Sequence, residues 1–163
     1  MPLICGIDPG LTRCGFSILE HRGNKIKEVV NCGIIATSKE DPTSKRLLVL
    51  YREIKELLIE YSPELVCVEK VFHKRNVSTA TGVTQAQGVI LMASEELGIK
   101  QLEFTPTEIK NKVTGWGSAG KEEVNNMVQK LCKIDTSEML PDVTDAIACA
   151  ISGIFQLRQV SNV

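Results

Sequence analysis

The chain has 163 residues, enough for one domain with a real core, and 43% of them are hydrophobic, an ordinary share for a globular protein. Its net charge of −1 leaves no broad basic surface, so any nucleic-acid contact has to be a local patch. No apolar run reaches membrane-span length, and "MPLICGIDPG" enters a strand without a basic leader, so a cytoplasmic protein with no membrane partner is expected. The six cysteines form no CxxC pair and mostly sit inside apolar runs, which reads as buried thiols rather than a disulfide framework or a zinc site. With only His21 and His73, a histidine-rich metal site is not expected either.

Leu3 to Asp8 predicts a first strand, turned sharply at Pro9-Gly10. "CGFSILEH" predicts a second strand ending at the turn "RGN", and "KIKEVVNCGIIAT" a third, so the chain opens as an antiparallel meander. After "SKEDPTS" the period changes: Leu47, Leu50, Tyr51, Ile54, Leu57, Leu58 and Tyr61 recur at helical spacing. "LVCVEKVF" is a short, nearly all-apolar strand, as expected when both faces are covered. A helix over "STATGVTQAQGVILMASEEL" closes at Gly98, and "KQLEF" is a fifth strand. A short helix follows, with Thr105 or Thr107 at its start and Gly115 at its exit. "GKEEVNNMVQKLCK" predicts another helix, with Val124, Met127, Val128 and Leu131 inward. "PDVTDAIACAISGIF" predicts the last, with Pro141 in its first turn. The order β-β-β-α-β-α-β-α-α-α predicts a single α/β domain over 1–163. Its arrangement is ribonuclease-H-like: a mixed five-stranded sheet with helices on both faces.

Two strands run apolar residues out to an acid, Asp8 in the first and Glu69 in the fourth. Asp142 and Asp145 are three apart at the start of the last helix and share a face. Each has a plain structural explanation: a turn for Asp8, a solvated strand end for Glu69, a helix dipole for Asp142. Asp145 fits such an explanation least, because the residues around it read as buried. Together, four carboxylates from three elements would repel one another unless cations sat among them. Oxygen-only ligands suit Mg²⁺ or Mn²⁺, and two such ions can activate a water and stabilise a leaving oxygen in phosphodiester hydrolysis. Phe72, His73, Lys74 and Arg75 follow Glu69 in a loop able to stack a base and meet phosphates. Lys110, Lys112 and Lys121 precede the last helix. Lys121 opens a helix whose amides can also meet a phosphate, although surface lysines on amphipathic helices would look the same.

The pieces "GIDPGLTRCGF", "VEKVF", "TQAQG", "FTPTEIKNKVTGWGSAGKEEV" and "PDVTDAIA" occur in this order over nearly the whole chain, which thereby resembles the RuvC family of Holliday-junction resolvases. The resemblance implies a homodimer that nicks four-way junction DNA symmetrically and works with the RuvA and RuvB branch-migration proteins. It implies Mg²⁺, two ions per site with Mn²⁺ able to substitute, held by the catalytic acids Asp8, Glu69, Asp142 and Asp145. It places the active-site lysines at Lys110 and Lys121, and a DNA-contacting aromatic at Phe72. Gln87 departs from the arginine common in the family and Cys14 from its threonine, and the low charge implies weaker or more localised DNA contact. Two nicks of like polarity need two sites, which a two-fold dimer supplies. The candidate interface is a stripe on the second helix, Gly82, Ala86 and Val89 or Ile90, flanked by Ala80, Val83 and Leu91. The same stripe would also fit that helix against its own sheet. Competing readings are a nuclease of ribosomal RNA precursors with the same fold, and a non-catalytic junction-binding module.

Overall fold

In a computed structural model, the described residues are 1–70 and 77–160. The strands are β1 (Leu3–Asp8), β2 (Arg13–Arg22), β3 (Lys25–Ala36), β4 (Leu65–Glu69) and β5 (Lys100–Phe104). The helices are α1 (Thr43–Tyr61), α2 (Val77–Glu96), α3 (Pro106–Thr114), α4 (Lys121–Cys132) and α5 (Pro141–Val160). The sheet order is β3-β2-β1-β4-β5. Short turns join β1, β2 and β3 as antiparallel neighbours, the second turn passing through Gly23 at φ 59°. β4 pairs parallel to β1, and β5 parallel to β4. Parallel neighbours need a crossover, and α1 and α2 provide the two. The chain therefore leaves β1 to one side as a meander and to the other as β-α-β units. The carboxyl ends of β1 and β4 meet at this switch point, where open α/β sheets place their sites.

Period-two alternation divides the core. Cys5, Ile7, Val66 and Val68 face α1 and α2, joining Ile54, Leu58, Ala86 and Ile90. Ile4, Leu65 and Cys67 face the other way and join Ile109, Val128, Ile147 and Ile151 of α3, α4 and α5. Both faces are covered, which is why β1 and β4 read as continuous apolar runs. β3 forms an edge, and its first half carries Lys25, Lys27 and Glu28 with exposed side chains, a charged edge that discourages further pairing.

The predicted elements form, although β4 ends at Glu69 and residues 71 and 72 of the predicted strand lie outside the described residues, and the ends of α3 are resolved in detail. Thr105, not Thr107, is the N-cap: its hydroxyl accepts from Glu108 N at 3.1 Å, while the Glu108 carboxylate accepts from Thr105 N at 2.7 Å. Gly115 closes α3 at φ 81°, a left-handed conformation that favours glycine.

The stripe on α2 packs inward. Ala86 and Ile90 are fully buried, a Cβ on Gly82 would stand 3.5 Å from Leu11, and Val89 and Leu91 pack on the same core. The face of α2 that remains exposed carries Gln85, Gly88 and Met92. Small residues at helical spacing served the helix's own sheet.

Candidate active site

Asp8 stands two residues beyond Gly6, and Glu69 two beyond Cys67, so both acids point to the face covered by α5. α5 lies unusually close to that face. A Cβ on Gly6 would come within 2.2 Å of Ala146 O, one on Gly15 within 2.0 Å of Asp142 O, and one on Gly153 within 2.1 Å of Cys67 Sγ. Any side chain at these glycines would lift the helix. Gly15 also pairs with Asp8 across β1 and β2, so the contact that seats the start of α5 lies beside Asp8. In this way the first turns of α5 bring Asp142 and Asp145 over the tips of β1 and β4.

The four carboxylates act on one another. Burial, followed by the charges of Glu69 and Asp145, pushes Asp8 up to about 9, and its carboxyl hydrogen-bonds to Glu69. Glu69 is raised as well, first by burial. Burial also raises Asp145, against the pull of Lys121, whose Nζ lies 3.4 Å from Asp145 Oδ2. Oδ2 of Asp142 is buried and accepts no hydrogen bond, although Arg13 Nε is 3.2 Å away without suitable alignment.

These residues fit a hard divalent cation. The donors are carboxylate oxygens, one of them orphaned, and they hold more negative charge than the surrounding protein compensates. The nearby thiols do not compete: burial pushes Cys14 up to about 12 and raises Cys149 well above its ordinary value, so neither supplies a thiolate. Among the described residues no three acids form a ready-made coordination sphere. Asp8 and Glu69 hydrogen-bond to each other instead, while Arg13 and Lys121 attend the acids of α5.

Two openings flank the acids. One, of ≈ 210 Å³, is lined by Glu69, Asp145, Lys110 and Lys121, with Ile109 as its apolar wall. The other, of ≈ 380 Å³, lies on the far side of Asp8 and Asp142 and is lined by Arg13, Arg46 and Gly82. Lys112 is two residues from Lys110, hence on the opposite face of α3. Its Nζ donates to Gln156 at 2.5 Å and sits 5.7 Å from the Phe104 ring centroid, away from the acids. Gln87, at the position where the resemblance expects arginine, donates to Glu103 at 2.5 Å and ties α2 to β5. Phe72, His73, Lys74 and Arg75 lie outside the described residues.

Sequence reasoning passed over Arg13 and Arg46. Arg46 Nε donates to Thr37 Oγ1 and its Nη2 to Thr12 Oγ1, both at 2.9 Å, and Thr37 Oγ1 donates to Leu11 O. One guanidinium thus clasps the turn after Asp8 to the end of β3. Its partners lie 9 and 34 residues away along the chain, a separation that no local pattern signals.

A mixed five-stranded sheet with carboxylates gathered at its switch point defines the ribonuclease-H-like nuclease class. Residues 4–153 match the family model described as "Crossover junction endodeoxyribonuclease RuvC", and the chain belongs to the RuvC family. It is 43% identical over 147 residues to the crossover junction endodeoxyribonuclease RuvC of Thermosipho melanesiensis, covering 90% of this chain and 93% of that protein. It is 41% identical to that of Paenarthrobacter aurescens, covering 91% and 79%. The fold superposes on T. thermophilus RuvC in complex with Holliday junction substrate at a TM-score of 0.92, with 29% identity over 99% of this chain and 98% of that one. The yeast mitochondrial Holliday junction resolvase Ydc2 shares the fold, at a TM-score of 0.74 and 11% identity.

Proposed function

We propose that this chain resolves four-way DNA junctions by paired symmetric nicks, using Mg²⁺ bound at Asp8, Glu69, Asp142 and Asp145, with Mn²⁺ able to substitute. The observation that carries this reading is the convergence on Asp8 of carboxylates from β1, β4 and α5, with an oxygen of Asp142 buried and without a hydrogen bond. Two divalent ions bound there would supply an activated water and charge stabilisation at the leaving oxygen. The chain's own residues hold the reacting strand. Lys121 and Lys110 both line the opening beside Glu69 and Asp145, where they balance the charge of the scissile phosphate. Lys121 is the first residue of α4, so the free amides of that helix end add to the same field. Asp142 and Asp145 keep their carboxylates in place because α5 is seated on Gly6 and Gly15.

Phe72, His73, Lys74 and Arg75 complete the DNA contact in this reading, with Phe72 stacking on a base. The protein acts as a homodimer, because a single site makes a single nick. The exposed face of α2, with Gln85, Gly88 and Met92, is the surface of that helix left for the second copy. RuvA and RuvB are the expected partners, and the cytoplasm the expected compartment; among the described residues no helix is long and apolar enough to cross a membrane. Incubation with a synthetic four-way junction and Mg²⁺, with linear duplex as control, tests the proposal. Paired nicks in the junction alone support it, and an intact junction rejects it.

A further inference from the structure

Trp116 is the one tryptophan of the chain, and its side chain is 65% exposed. It is held outward by a rigid loop. The Thr114 hydroxyl accepts from Trp116 N at 3.1 Å and donates to Lys110 O at 2.7 Å. Trp116 O accepts from Ala119 N at 3.1 Å, and Ala119 is buried. On one side Gly115 fixes the exit of α3 at φ 81°; on the other, Gly117 packs so closely on α3 that a Cβ there would stand 3.2 Å from Thr107 Cγ2. With both of its backbone groups bonded, Trp116 is carried at the surface by a defined turn. Displaying so large an apolar surface on a fixed mount runs against burial and calls for an occupant.

The surroundings identify its chemistry. The loop joins α3, which carries Lys110, to α4, which begins at Lys121, and both lysines line the opening beside Glu69 and Asp145. Between Glu108 and Glu122 the chain holds no acid, and of its three lysines Lys110 and Lys121 line the opening while Lys112 bonds to Gln156. A flat aromatic face between phosphate-seeking lysines matches a strand of nucleic acid, which presents phosphates and bases in alternation. We propose that Trp116 stacks on a nucleobase of the junction strand that runs past the acidic site, a contact additional to the one proposed for Phe72. This inference rests on the resolvase reading.

The single tryptophan makes the test specific, since all tryptophan emission comes from Trp116. Asp8→Asn protein is titrated with unlabelled junction while emission and acrylamide quenching are followed. In parallel, the anisotropy of a labelled junction reports binding by itself. Stacking predicts loss of emission and protection from acrylamide, with the same midpoint as the anisotropy curve. In the otherwise wild-type protein, Trp116→Ala should weaken junction binding about ten-fold without lowering the melting temperature, whereas Trp116→Phe should keep most of the affinity. Anisotropy that shows binding while emission and quenching stay unchanged would overturn the stacking contact and leave the resolvase reading standing. Absence of junction binding would overturn both.

Discussion

Arg13 Nε lies 3.2 Å from Asp142 Oδ2, the one buried side-chain oxygen among the described residues that accepts no hydrogen bond. A fixed positive charge thus stands beside a carboxylate proposed to hold a cation. Arg13 is 54% exposed, so the pair is screened and worth about 0.2–1 kcal/mol. Removing it leaves Asp142 to the cation alone. Arg13→Ala should therefore tighten Mn²⁺ binding about two- to five-fold, measured by calorimetry on the DNA-free protein. Weaker binding would show that Arg13 orients Asp142 rather than competing for it.

Raised carboxylates make the cation-free protein sensitive to pH. Asp8 goes from an ordinary 3.8 to about 9 on folding, and Glu69 and Asp145 are raised in the same direction. Between these values the folded protein binds more protons than the unfolded chain, so each unit of rising pH favours unfolding. The stability these groups allow is whole below about pH 4 and is lost as pH climbs through about 9. In EDTA the melting temperature should fall from pH 5 to pH 9 through this group of acids. Asp8→Asn should flatten the slope, and Mg²⁺ should raise the melting temperature more at pH 8 than at pH 6. An unchanged slope in Asp8→Asn would contradict the arrangement of charges described here.

Lys110 and Lys112 separate the proposed contact with DNA from a contact within the fold. Lys110 lines the opening beside the acids, whereas Lys112 bonds to Gln156 over the Phe104 ring. Lys110→Ala should slow cleavage at least ten-fold with no change in melting temperature. Lys112→Ala should leave cleavage per folded molecule intact and cost about 1 kcal/mol of stability, measured by urea unfolding. The reverse pattern would place Lys112 on the DNA.

This contrast shows where the sequence could and could not be read. Asp8 and Glu69 were legible because each ends an apolar run, and an acid after four buried residues breaks the pattern of a covered strand. Asp142 and Asp145 were legible from their spacing at a helix start. The two lysines were not separable, since their helix packs on two sides and its period alone does not say which side meets the site. The stripe of Gly82, Ala86 and Ile90 left two readings open for a similar reason: small residues at helical spacing look alike whether they approach a partner or the home sheet, and within the chain they pack on the core. Gly6, Gly15 and Gly153 carried a signal, because glycine inside a covered strand or helix marks a close approach of backbone, here that of α5.

The central claim is that the four acids hold the cations that cut DNA, and Asp8→Asn tests it most directly. The variant keeps the shape of the side chain, removes its charge, and relieves repulsion among the buried carboxylates. On a synthetic four-way junction with Mg²⁺, the account predicts normal junction binding by gel shift, a melting temperature no lower than wild type, and cleavage reduced more than about 100-fold. Glu69→Gln and Asp145→Asn should behave alike, and Asp142→Asn more mildly. Nicking by Asp8→Asn at the wild-type rate, with junction binding intact, would contradict the account.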